Sequence, residues 1–262
     1  RIATNLFNRL TAIGVQDESY AEMFRGLGVE PGKIHVTGMM KFDTAQIGDS
    51  VPGQDELAAA MGIEAGERLI VAGGTGDGEE AICLDVLTAV RKVCPEARLA
   101  IVPRKPERFD EVARLIGSRG LSLARRSEHP DGSTPPASRP DVLLGDTMGE
   151  LRKFYALAAA VFVGRSLVPM GGSDMIEAAA LGRPTAFGPH TFNFPQAAAL
   201  AEHGCSRAAD AAALAGRLSD WLSDPAAAAG DALRAQEYVR GQMGATRRNV
   251  EMICRILGRV PA

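Results

Sequence analysis

"RLIVAGGTGDGEEAICLDVLTAVRKVCPEARLAIVPR", residues 68–104, reads as strand, helix and strand in succession. The runs "RLIVAGG" (68–74) and "RLAIVPR" (98–104) are continuously apolar at their centres instead of alternating. Strands of that kind are buried on both faces, which is the condition of a parallel sheet in an α/β protein. The residues from Glu79 to about Val93 supply the crossover helix that a parallel pair requires. The same order continues downstream. "PERFDEVARLIGSRG" (106–120) is a helix with Pro106 at its start and Gly120 past its end. "LSLARR" (121–126), "DVLLG" (141–145) and "AVFVG" (160–164) are strands, with a helix over Thr147–Ala158 before the last. Helix–strand pairs follow at 173–181 with 184–187 and at 194–202 with 204–208. Three helices close the chain, at about 210–222, 225–241 and 244–258. The pattern predicts an α/β fold, a parallel sheet with helices on both faces.

Upstream, Leu10–Val15 is a strand, Asp17 caps a helix through Leu27, and Lys33–Thr37 is a second strand. Gln54–Met61 is a short helix. Between them "VTGMMKFDTAQIGDSVPGQD" (36–55) is rich in Gly and Pro, polar toward its end, and reads as a linker. What precedes it is too little for a domain and reads as the tail of one whose beginning is absent. A chain that starts at Arg1 with no initiating Met fits that expectation. The division is therefore 1–38, an N-terminal domain's tail; 39–55, the linker; and 56–262, a second domain. Residues 127–141, "SEHPDGSTPPASRPD", form an exposed polar loop.

With 46% hydrophobic and 23% charged residues among 262, the chain has material for a sizeable core. A net charge of −3 argues against a nucleic-acid partner. No run approaches the ~18 apolar residues of a membrane span, and no secretory signal is visible. Cys83, Cys94, Cys205 and Cys254 are widely spaced without a C-x-x-C pair. They read as packed thiols in a reducing, cytoplasmic setting, not as metal ligands or disulfides.

Three strand ends share one chemistry: Thr75-Gly76-Asp77-Gly78-Glu79-Glu80, Asp146-Thr147-Met148-Gly149-Glu150, and Gly171-Gly172-Ser173-Asp174-Met175-Ile176-Glu177. Each holds a candidate capping box, Asp77 with Glu80, Thr147 with Glu150 and Asp174 with Glu177. Capping accounts for the oxygens without a ligand. The glycines around them, Gly73-Gly74, Gly76 and Gly171-Gly172, also suit a backbone approached by phosphate at residues 74–76 and 172–174. Neither a dinucleotide nor a P-loop spacing is present. "VPRKPERF" (102–109) adds Arg104, Lys105 and Arg108 at a helix start, a place that disfavours cations unless an anion is bound. Both readings, caps and solvated cations or a nucleotide site, stand at this level.

"VTGMMKFD" (36–43), "VPRKPERF", "LGDTMGELRKFY" (144–155), "GRSLVPMGGSDMIEAAALGRP" (164–184) and "GPHTFNF" (188–194) occur together and in order. In these motifs the chain, from about residue 10 on, resembles the 3-deoxy-D-manno-octulosonic acid (Kdo) transferases. The resemblance implies a GT-B glycosyltransferase with two Rossmann-like halves, of which this chain supplies mainly the C-terminal, donor-nucleotide half. It implies transfer of Kdo from CMP-Kdo to a lipid A precursor in lipopolysaccharide synthesis, at the cytoplasmic face of the inner membrane. Membrane and acceptor contact would belong to the other half.

Residue by residue, the resemblance assigns CMP contacts to Pro103 and Arg104, to Met148, Gly149 and Glu150, and to Asp174, Met175, Ile176 and Glu177. Glu177 would accept ribose hydroxyls. Backbone amides of Gly74, Thr75, Gly172 and Ser173 would join them. Lys41 would stabilise the departing phosphate's charge; without the family it reads as a solvated linker lysine. The tail from Gly188 would shape the cleft wall. In it His190 reads equally as a sugar contact or a structural turn residue, and Asn193 is a further candidate. No metal or cofactor is implied, and the general base would lie outside this chain. The fragment alone is thus expected to bind donor weakly and to be inactive.

Departures from the family occur at Ser173 and Asp174, at Gly76 where an imidazole is usual, and at Met39-Met40. Those at Ser173, Asp174 and Gly76 lend weight to a non-catalytic nucleotide-binding fragment as one alternative; a UDP-sugar enzyme of the same fold is the other.

Overall fold

The computed structural model describes residues 2–132 and 135–259; residues 133 and 134, inside the loop expected over 127–141, lie outside it, as do 1 and 260–262. Contacts divide the chain into two units, residues 1–46 with 238–262 and residues 47–237.

The first unit begins with α1 (Ile2–Phe7), β1 (Ile13–Val15), α2 (Glu18–Gly26) and β2 (Ile34–Val36). Asp17 caps α2 as expected, its carboxylate accepting the Tyr20 amide at 3.1 Å. β1 and β2 pair in parallel, Ile13 opposite Ile34. Val15, Ala21, Val29 and Ile34 form a small core with Phe7, Ile13 and Phe24 against it.

The second unit runs α3 (Gln54–Met61), β3 (Leu69–Thr75), α4 (Glu79–Val90), β4 (Arg98–Pro103), α5 (Phe109–Ser118), β5 (Leu123–Arg125) and β6 (Val142–Leu144). It continues with α6 (Leu151–Leu157), β7 (Ala160–Val163), α7 (Ile176–Ala180), β8 (Thr185–Phe187), α8 (Ala197–Glu202), β9 (Ser206–Arg207) and α9 (Ala211–Ser223). α10 (Pro225–Gln242) carries the chain across the division, and α11 (Ala245–Ile256) returns to the first unit.

The seven strands of the second unit lie in the order β5-β6-β4-β3-β7-β8-β9, every pair parallel. Period-two alternation sends Ile70 and Ala72 of β3 to one face, into a core with Leu84 and Leu87 of α4 and Leu214 and Leu218 of α9. Each such leucine, removed from water, contributes about 1.5–3 kcal/mol. Gly73 faces the other side, where Tyr155 of α6 lies so close that a Cβ would overlap its ring. α6 packs there on β3, α3 and α7. Both faces of β3 are therefore covered, and all seven of its residues are buried. From β3 the chain winds toward β4, then returns to β7 on the opposite side. The strand order reverses at β3, and crevices for ligands open beside the carboxyl ends of strands at such a reversal.

Two sequence expectations change. The helix expected from Thr147 starts at Leu151, because residues 147–150 turn, with Gly149 at φ 84°. The division into 39–55 and 56–262 also differs from the contacts. Met40–Thr44 is a 3-10 turn with Phe42 buried against Tyr238, ring centroids 6.1 Å apart. The Asp43 carboxylate accepts the Gly244 and Thr246 amides at the start of α11. Arg248 of α11 donates to the Thr37 carbonyl at 2.7 Å. Residues after Tyr238 thus group with the chain's beginning, a pairing over some two hundred residues that composition does not reveal.

Candidate functional site

Because all strands of the second sheet run the same way, their carboxyl ends share one edge. A cleft of about 320 Å³ opens there. Gly74 lines it from the end of β3; Val102, Pro103 and Arg104 from the end of β4; Thr147, Met148, Gly149, Leu151 and Arg152 from the segment after β6; and Glu177 from α7. Six predicted site residues meet in this one cleft: Gly74, Pro103, Arg104, Met148, Gly149 and Glu177. Arg104 is anchored by its backbone, the amide donating to the Thr75 carbonyl at 3.1 Å. Its guanidinium is exposed and makes no hydrogen bond or ion pair within the described residues. Glu177 is exposed as well. The cleft thus presents a guanidinium fork, suited to an oxyanion, and a carboxylate, suited to hydroxyl donors. Arg152 adds a second cation that sequence reasoning missed, though it stands in the quoted "GELRKFY" one residue past Leu151. Among the described residues no group of three or more His, Cys, Asp or Glu side chains is placed to hold a metal ion.

Other predicted residues serve the frame around the cleft. Thr75 is buried, its hydroxyl donating to Glu80 at 2.8 Å. Glu150 is engaged by Arg126 at 2.8 Å, by Lys153 at 3.2 Å and by the Thr147 hydroxyl. Burial pushes its carboxyl up, but these partners outweigh it and the pKa is lowered. Met175 and Ile176 are core residues. The Ser173 hydroxyl donates to the Gly74 carbonyl at 2.9 Å, tying the start of the α7 segment to the cleft's floor. Asp174 accepts the Ile176 amide at 3.0 Å, closing an Asx turn ahead of α7.

The amide of Gly172 donates to the Arg165 carbonyl at 2.7 Å, so it is not presented to a ligand as expected. Gly171 and Gly172, at φ 87° and 89°, are covered by the aromatic tail: Cβ atoms there would meet Asn193, Phe192 and Phe194. Their smallness admits protein, not nucleotide. His190 donates its amide to the Ser166 carbonyl at 2.9 Å, and the exposed Asn193 reaches the Met170 carbonyl at 3.5 Å. Neither lines the cleft. Lys41 belongs to the other unit, in the 3-10 turn Met40–Thr44.

The first two capping boxes do not form, and in the third Met175, not Asp174, is the N-cap of α7. Thr147 donates to Glu150 instead of accepting an amide. Glu80, buried, accepts Arg108 at 2.7 Å besides Thr75, while Asp77 faces Arg108 at 3.5 Å. Arg108 also pairs with Glu111 at 2.8 Å. Burial pulls its pKa down, and hydrogen bonds to Glu111 and Glu80 more than offset that, so it is raised. The awkward cation at a helix start is therefore answered by three carboxylates of the protein, and Arg108 is no phosphate ligand.

The sequence also conceals the role of Glu79. Fully buried at the first turn of α4, its carboxylate accepts the amides of Ser166 and Leu167 at 2.9 Å each, of Gly76 at 3.3 Å, and of Arg165. Burial pushes its pKa up, against the pull of these amides. In sequence it looked like one more acidic residue in a first helical turn; only its partners, some 86 residues away, set it apart.

A family model described as 3-deoxy-D-manno-octulosonic-acid transferase (kdotransferase) matches residues 1–44. The 3-deoxy-D-manno-octulosonic acid transferase of Bordetella pertussis is 37% identical over 224 residues, 83% of this chain and 50% of the relative. The crystal structure of the C-terminal CMP-Kdo binding domain of WaaA from Acinetobacter baumannii superposes with a TM-score of 0.62 at 29% identity, covering 77% of this chain and 99% of that one. In all three comparisons this chain is similar to Kdo transferases. It spans about half the length of the curated relatives it matches. Anabaena Alr3699/HepE, in complex with UDP and glucose, superposes at a TM-score of 0.57 with 16% identity, covering 98% of this chain and 66% of that one; this likeness shows the fold alone, of GT-B type. The chain thus carries mainly the part that corresponds to the Acinetobacter domain, and the family model's match falls on its first unit.

Proposed function

We propose that the cleft at the carboxyl ends of β3, β4 and β6 holds the nucleotide of CMP-Kdo, and that the protein containing this chain transfers Kdo to a lipid A precursor at the cytoplasmic face of the inner membrane. One observation carries the reading: residues from four separate segments, matched to donor contacts by family resemblance, line a single cleft. The Acinetobacter relative, described as a CMP-Kdo binding domain, supports the choice of nucleotide. In this reading Arg104 pairs with the phosphate and Glu177 accepts ribose hydroxyls. The reaction is an inverting displacement in which an acceptor hydroxyl attacks the anomeric carbon and CMP departs. As charge builds on the leaving phosphate, a guanidinium paired with it lowers the cost. The family resemblance gives Lys41 the stabilisation of the departing phosphate's charge. Glu150, Thr75, Ser173 and Asp174 shape the cleft from behind through the hydrogen bonds described above, and Met175 and Ile176 by packing.

Titration calorimetry of the chain with CMP and with UDP tests this. The expected result is a preference for CMP that Glu177→Ala weakens by about 1–3 kcal/mol, the worth of hydrogen bonds to a charged group. A clear preference for UDP removes the Kdo assignment. Unchanged CMP affinity in Glu177→Ala, with stability down by about 1 kcal/mol, makes Glu177 a cap.

A further inference from the structure

The loop between β7 and α7 has no regular structure from Gly164 to Met175, yet it carries the chain from the sheet to Glu177. Three of its consecutive amides, Arg165, Ser166 and Leu167, converge on the Glu79 carboxylate, and the Gly76 amide joins from the β3 end. Such a row of amides is an anion-binding concavity, here filled by the protein's own carboxylate. The loop is also strained. Arg165 is the only residue other than glycine with positive φ among the described residues, at 59°. Gly164 lies so close that a Cβ would sit 2.6 Å from the Thr75 Cα and 2.8 Å from Glu79 Oε2. From that fixed start the loop folds back on itself, the Gly172 amide meeting the Arg165 carbonyl at 2.7 Å. The next residue, Ser173, donates to the Gly74 carbonyl at the cleft.

We propose that Glu79 is a positioning residue for the donor cleft: its carboxylate templates the 164–173 loop and so sets where Ser173 and Glu177 stand. The inference rests on the donor-site reading of the cleft. The hydrogen bonds of the Glu79 carboxylate go to backbone amides of Gly76, Arg165, Ser166 and Leu167, none of which lines the cleft. The carboxylate is required because four donors need acceptor lone pairs on two oxygens. A glutamine offers one acceptor oxygen and turns an NH2 group toward amides that also donate. An aspartate is one methylene too short to reach all four.

The test is Glu79→Gln in the full chain, with amide hydrogen exchange and CMP calorimetry well below the variant's Tm. Wild-type amides of Arg165, Ser166 and Leu167 are expected to exchange as slowly as those of β3, although they lie in a loop. In Glu79→Gln they exchange at least tenfold faster while β3 is unchanged, and CMP affinity falls at least fivefold. A residue that serves only stability lowers Tm and leaves affinity alone in the folded variant. The proposal is overturned if wild-type loop amides exchange freely, or if the folded variant holds CMP affinity within less than fivefold. Should Glu79→Gln not fold, Glu79→Asp is subjected to the same two measurements and the same thresholds. A wild-type chain that binds no CMP removes the donor-site reading, and exchange alone then decides whether Glu79 templates the loop.

Discussion

Arg104 and Arg108 are four residues apart, and in the sequence they present one chemistry: cations at the start of a helix after an apolar strand. The structure separates them. Arg104 is exposed in the cleft, while Arg108 is nearly buried with Glu80, Asp77 and Glu111. Arg104→Ala is therefore expected to leave stability within about 0.5 kcal/mol, as for surface sites, and to weaken CMP by about 1.5–3 kcal/mol without affecting cytidine. Arg108→Ala is expected to cost about 3–5 kcal/mol of stability, since it strands the Glu80 carboxylate in the interior. Urea unfolding and calorimetry on both variants check the contrast. The glycines carry the same lesson. Gly74, at φ 66°, does line the cleft, but Gly73, Gly171 and Gly172 are small because Tyr155 and the 192–194 tail press on them. A sequence shows that a position needs a small residue; it does not show what approaches. Glu79 was illegible for a related reason, since its distinction lies in three amides brought by tertiary structure, with the local Gly76 amide beside them.

At the scale of elements, the buried strands were the most legible features. Continuous apolar runs placed β3, β4, β6 and β7 within a residue or two, and Gln54–Met61 matches α3 end to end. The turn at 147–150 was read as helix because Thr147 and Glu150 have the spacing of a capping box, whereas Glu150 is drawn away by Arg126 and Lys153. α1 left no mark, having no buried residue to impose a pattern. The cap on α11 was hidden too, because its acceptor, Asp43, is about two hundred residues distant. Burial raises the Asp43 pKa, but hydrogen bonds from the Thr246 side chain, and then from the Thr246, Gly244 and Ala245 amides, outweigh it, so the folded value lies below the ordinary 3.8. A carboxyl with a depressed folded pKa contributes stability that is present above the unfolded value and is lost as pH falls through the folded one. Asp43→Asn should thus lower stability at neutral pH by about 1 kcal/mol, the worth of a helix cap. The difference from wild type should shrink to nothing in acid, below the folded pKa of Asp43. Urea titrations of both proteins across that range test it, and a difference independent of pH would rule the cap out.

At the scale of the molecule, the parallel sheet and its carboxyl edge followed from the order of elements, and so did the place to look for a ligand. What order could not supply was the return of residues after Tyr238 to the unit formed by the first 46, because a contact between distant segments leaves no local pattern. Among the described residues no helix is long and apolar enough to cross a membrane. One edge of one sheet gathers the residues proposed to hold the donor. A crystal structure of the chain grown with CMP measures this directly. The nucleotide is predicted between the ends of β3, β4 and β6, with a phosphate oxygen within about 3 Å of the Arg104 guanidinium and a ribose hydroxyl within about 3 Å of Glu177. CMP bound at the opposite, amino-terminal edge of the sheet, or with its phosphate away from Arg104, would contradict it.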